Sequence, residues 1–84
     1  QRVSIYPVPS SAFCIIEILD SQDGDEIDFS VFDLLGNIIY TNSATSSGGA
    51  QRFHLPTANY TTGLYMISVS VNGDFETFKL IKQQ

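Results

Sequence analysis

The pattern that most narrows what this chain can become is an apolar side chain at every second position, in short runs broken by turn residues. Ile27, Phe29 and Val31 alternate with Asp28 and Ser30; Tyr65, Ile67, Val69 and Val71 alternate with Met66, Ser68 and Ser70. A period of two sends one set of side chains to a dry face and the other to water, which describes a strand buried on one side. Helical spacing is nearly absent. Strand-like runs recur about every 8–12 residues, the rhythm of an antiparallel all-β domain. They are Val3 to Tyr6, Phe13 to Leu19, Glu26 to Phe32, Ile38 to Thr41, Gln51 to Leu55, Leu64 to Val71 and Phe75 to Ile81. About seven antiparallel strands in 84 residues predict two packed sheets, an immunoglobulin-like β-sandwich.

The residues between the runs sharpen this outline. Pro7 and Pro9 lack a backbone donor and hold the residues before them extended, so the first strand belongs at an edge. Phe13 to Leu19 is apolar on both faces except at Glu17, as in a central strand. Asp23-Gly24 and Asn72-Gly73 are hairpin signals, and Gly36 in Asp33-Leu34-Leu35-Gly36-Asn37 supplies the positive φ of a turn. The Ser/Thr/Gly stretch from Asn42 to Ala50 reads as the most flexible segment. The first residue is Gln1, not Met, and no basic and apolar leader follows it. The expectation is a single domain, 1–84, either cut from a longer protein or a processed form, with Gln84 near the natural terminus.

Composition excludes several classes of function. Four bases against nine acids leave a net charge of −5 and no basic patch to displace counterions from nucleic acid. No apolar run approaches the ~20 residues of a membrane span. A single Cys and a single His exclude a disulfide framework and a Cys- or His-rich metal site, and no cofactor is expected.

Few constellations remain. Residues 17–33 hold seven of the nine acids, and Asp20, Asp23 and Asp25 are a weak calcium candidate. Their spacing does not match an EF-hand, and a solvated hairpin with outward-facing carboxylates accounts for them better. Tyr65, just after Gly63 and a Pro-containing loop, has the placement of a tyrosine corner, with a ligand-binding role as the competing reading. Cys14 among Phe13, Ile15 and Ile16 reads as a small buried hydrophobe, and His54 as an outward strand position. No nucleophile–base pair stands out, so no catalytic residue is assigned and the domain is not expected to be an enzyme. Asn59-Tyr60-Thr61 matches the N-glycosylation triplet, which arises often by chance. Phe13, Ile15, Phe32, Leu64 and Met66 fall opposite the core positions, where they either cover a second layer or form an exposed apolar patch. Such a patch on a weakly charged domain leaves room for a weak dimer.

Three segments together resemble a known family. Tyr6-Pro7-Val8-Pro9-Ser10, followed by a strand carrying Cys14, Ile16 and Ile18, is similar to the opening motif of the C-terminal sorting domains of the type IX (Por) secretion system, type A. Val31 to Tyr40, with Asp33 and Gly36 in its turn, resembles the middle motif. Gly63-Leu64-Tyr65, then Asn72-Gly73, then Lys79-Leu80-Ile81-Lys82 resembles the closing motif. Val8 stands where the family usually has Asn, and Ala12 where Gly is usual.

The resemblance implies an address label. It implies a passenger that reaches the periplasm of a Gram-negative bacterium by its own leader and crosses the outer membrane through a translocon. A cell-surface sortase-like peptidase then usually removes the domain, near or before Gln1, leaving the passenger secreted or on the cell surface. The residues expected to face the translocon are Gly63, Tyr65, Lys79, Leu80, Ile81 and Lys82, because a last strand can pair on one side only. The competing function is a non-catalytic adhesion or carbohydrate-binding sandwich. It is disfavoured by the absence of Trp and of any aromatic in the stretch 42–50.

Overall fold

A computed structural model of the chain describes residues 2–7 and 12–83. Of the opening motif, Val8, Pro9 and Ser10 lie outside the described residues. Seven strands appear in order: β1 (Arg2–Tyr6), β2 (Phe13–Ser21), β3 (Glu26–Phe32), β4 (Ile38–Thr45), β5 (Gly49–Pro56), β6 (Gly63–Val71) and β7 (Asp74–Lys82). They form a three-stranded sheet, β1-β2-β5, and a four-stranded sheet, β4-β3-β6-β7, with antiparallel pairing throughout. This is the expected immunoglobulin-like sandwich. β2 is central in its sheet, while β1 and β7 are edges, as the prolines and the terminal position of β7 predicted.

The alternation places the core. Cys14, Ile16, Ile18 and Leu55 from one sheet meet Ile27, Phe29, Val31, Tyr65, Ile67, Val69, Val71 and Leu80 from the other, all buried. Phe29 joins the layers, with Phe53 at 5.4 Å and Tyr40 at 6.1 Å between ring centroids. At roughly 1.5–3 kcal/mol for each fully buried large aliphatic or Phe side chain, this layer is the main force closing so short a chain. Burial also raises the Cys14 thiol to about 11, the inert hydrophobe expected from its neighbours.

Two turn expectations need correction. Asp23-Gly24 does not close a hairpin, because β2 and β3 lie in different sheets. It makes an arch between the layers, with the Asp25 amide donating to the Gln22 carbonyl and the Gly24 amide to the Ser46 carbonyl. The stretch 42–50 is not a long flexible loop either: β4 runs to Thr45 and β5 begins at Gly49. Ser46 between them is buried, its hydroxyl 2.7 Å from that of Ser21 and accepting from the Gly48 amide. Thr41, Ser43 and Thr45 sit on the wetted face of an edge strand, where small polar and β-branched residues are at home. Asn72-Gly73 does form the β6–β7 hairpin, at φ of 52° and 90°.

Candidate functional site

The Asp33 hairpin between β3 and β4 is organised by one carboxylate. Asp33 Oδ1 accepts from the amides of Leu35 and Asn37, each at 2.9 Å, and Oδ2 accepts from the Asn37 side-chain amide at 3.0 Å. The Asn37 side chain first, and then the backbone amides of Asn37 and Leu35, hold the Asp33 carboxyl below its ordinary value. Gly36 completes the turn at φ 88°. With the backbone so fixed, Leu34 and Leu35 stand in solvent, 69% and 88% exposed.

The tyrosine corner is present. The Tyr65 hydroxyl donates to the Thr61 carbonyl at 2.6 Å and lies 2.9 Å from the Thr61 hydroxyl. It ties the start of β6 to the loop before it. Thr61, Thr62, Gly63, Leu64 and Tyr65 line one side of a shallow groove of about 280 Å³, and Asp33, Leu34 and Leu35 line the other. Cross-strand pairing then sets Gly63 against Lys82, Leu64 against Ile81 and Tyr65 against Leu80. The middle and closing motifs, some thirty residues apart in the chain, therefore meet at one end of the four-stranded sheet.

The opening motif lies elsewhere. Tyr6 is in the other sheet, paired with Ile15. The Tyr6 side chain, followed by Glu17, holds the Arg52 guanidinium in its charged form; Glu17 and Arg52 pair at 2.6 Å across β2 and β5. Pro7 ends β1 after a cis peptide bond. Phe13 and His54 stack on this same outer face, 5.2 Å apart.

Alternation along β7 divides the residues expected to face a partner. Lys79 and Ile81 point outward, whereas Leu80 is in the core and Lys82 is only 5% exposed, its Nζ donating to the Gln83 carbonyl. The calcium candidates are divided as well. Asp25 Oδ2 accepts from the Gln22 amide and Oδ1 from the Asn72 side-chain amide, a clasp between the arch and the β6–β7 hairpin. Asp20 sits at a bulge in β2 with φ 61°, and Asp23 is exposed in the arch. Among the described residues, no three of His, Cys, Asp or Glu are grouped to hold a metal ion.

Alternation in the sequence puts Phe32, Leu64 and Met66 on the outer face of the four-stranded sheet but does not single out Ile38, which the pairing adds to their row. Ile38 pairs with Phe32, Phe32 with Met66, and Met66 with Lys79. Of the two expectations for Phe32, Leu64 and Met66, a second layer or a patch, the structure favours the patch: among the described residues no layer covers them, and they are half-buried. The clue in the sequence is the phase of Phe32, one position out of step with Val31 and separated by Asp33 alone from two leucines.

These features define a small immunoglobulin-like module whose distinctive chemistry lies on one end of one sheet. The chain matches the family of secretion system C-terminal sorting domains over residues 4–83, nearly its whole length, and it belongs to that family. No curated protein matches it. It is a C-terminal sorting signal for type IX secretion, which works with the secretion system to deliver a protein to the cell surface or exterior. A sorting signal of this kind is not itself catalytic. No helix of the described residues is long and apolar enough to cross a membrane.

Proposed function

We propose that the export machinery reads this domain at its last strand, and that the reader is the outer-membrane translocon of a Gram-negative cell, met from the periplasm. The observation that carries this is the poor anchoring of β7. It pairs with β6 alone, so its other edge has strand backbone to offer. Its inward positions read Asp74, Glu76, Phe78, Leu80 and Lys82, so apolar contact is confined to two side chains, whereas β6 buries Tyr65, Ile67, Val69 and Val71. A partner strand can add to such an edge by main-chain hydrogen bonds and read the alternate outward side chains, here Lys79 and Ile81. Lys82 becomes available only as β7 lifts away. The domain forms the tail of a larger passenger, of the type A kind, and a cell-surface sortase-like peptidase removes it after crossing.

The test fuses the domain to a reporter in a host with this secretion system and measures surface display. Removing residues 79–84 is expected to abolish display, and Lys79→Glu to weaken it while the circular dichroism spectrum stays native. Undiminished display by both overturns the reading.

A further inference from the structure

The outer face of the four-stranded sheet changes character along its length. Toward the arch it carries Glu26, Asp28 and Ser30 on β3, Ser43 and Thr41 on β4, Ser68 and Ser70 on β6 and Thr77 on β7, a largely solvated composition interrupted by Phe75, which pairs with Ser70 and is 70% exposed. Toward the Asp33 hairpin, the same face carries Ile38, Phe32 and Met66 in one row and Leu64 and Ile81 beside it, with Leu34 and Leu35 projecting from the turn. Ile38 is 62% exposed and Ile81 43%. None of these side chains is needed to fill the core, which lies on the opposite side of the strands.

Their position is not left to chance. Three bonds to the Asp33 carboxylate fix the backbone of the turn that carries the two leucines, the tyrosine corner fixes the start of β6, and the sheet fixes the rest. A rigid, contiguous apolar surface of this sort marks a contact with another molecule, since holding it in water gains the fold nothing.

Charge selects the occupant. Among the described side chains, Arg52 is committed to Glu17 and Lys82 is buried, so Lys79 is the base presented to solvent, at the end of the row beside Met66. Among the described residues, a second copy offers this end of the face only Asp33 as a carboxylate, and both oxygens of Asp33 are taken by its own hairpin. Two bodies of net charge −5 also repel. The complementary surface is therefore that of a different protein, apolar with a carboxylate at its margin.

We propose that the outward row Leu34, Leu35, Ile38, Phe32, Met66 and Ile81, ended by Lys79, is a docking face for a protein component of the secretion machinery that presents an apolar patch flanked by a carboxylate. This rests on the sorting-signal reading and adds a second contact to it, made by a sheet face rather than a strand edge. The face stays accessible while β7 remains in place, so it can engage the folded domain first.

The test uses the passenger fusion with Leu34→Ser, Leu35→Ser and Ile38→Ser combined. All three side chains are solvent-exposed, so the urea midpoint and circular dichroism are expected to match the parent. Surface display is expected to fall about tenfold or more, since a few central apolar anchors dominate most interfaces. Ser30→Ala with Ser68→Ala, on the polar half of the same face, is expected to display normally. Normal display by the triple variant overturns the proposal. If removal of residues 79–84 also leaves display intact, the strand-edge reading falls with it; if that removal abolishes display, only the docking face falls. A dimer of the parent domain in sedimentation, lost in the triple variant while display is unchanged, also overturns the proposal and assigns the face to self-association.

Discussion

Two tyrosines whose rings lie 5.2 Å apart are expected to respond in opposite ways to loss of a hydroxyl. The Tyr65 hydroxyl donates to the Thr61 carbonyl at 2.6 Å and lies within hydrogen-bond distance of the Thr61 hydroxyl, at 2.9 Å. Tyr65→Phe removes both contacts: the bond to the carbonyl is worth about 0.5–1.5 kcal/mol net, and the Thr61 carbonyl and hydroxyl are left on an exposed residue that water can reach. The expected loss is about 1 kcal/mol, or roughly 4–8 °C in Tm for a domain of this size. The Tyr60 hydroxyl is buried with no hydrogen-bond partner among the described residues, and burial raises its pKa. An unpaired buried hydroxyl costs about 1–3 kcal/mol, part of which Tyr60→Phe recovers, so that variant is expected to be neutral or more stable by up to about 1 kcal/mol. Urea titrations followed by circular dichroism separate the two, with unchanged m-values showing that stability alone has moved. A Tyr60→Phe loss equal to or larger than that of Tyr65→Phe refutes the assignment of the corner bond.

Two further predictions concern ionisation. The folded chain keeps the Cys14 proton up to about 11, against an ordinary value of 9.0, so stability falls as pH rises through that window while the unfolded chain ionises. Cys14→Ala removes that part of the slope, and the native thiol is expected to resist alkylation at pH 8, where reaction at the unfolded rate would contradict its burial. The Asp33 carboxyl is held below its ordinary 3.8, so its contribution is complete above that value and is lost as pH falls through the lower, folded one. The Leu35 and Asn37 amide resonances should titrate together with a midpoint under 3.8; a midpoint at or above it would mean that the clasp does not form in solution.

Much of the architecture was legible because it is local. Alternation in Glu26 to Phe32 and Leu64 to Val71 dictated which side chains face inward, and Asn72-Gly73 dictated a hairpin, since both follow from backbone geometry within a few residues. The tyrosine corner could be named because its partner is four residues away. Asp23-Gly24 misled because a turn motif specifies a reversal and not the sheet to which the next strand goes. The polar run 42–50 misled because outward-facing strand positions look like loop when their inward neighbours are sparse.

The sequence by itself determined an all-β sandwich, its inward residues and, through three scattered motifs, its kinship. Only the tertiary structure decided what those motifs build. It brought the Asp33 hairpin beside Gly63–Tyr65, left the opening motif on the far sheet, and turned Lys79 and Ile81 out while turning Leu80 and Lys82 in. The reason is that alternation fixes a side chain's face relative to its own strand, whereas the pairing of distant strands depends on which arrangement of the two sheets buries the most apolar surface at once.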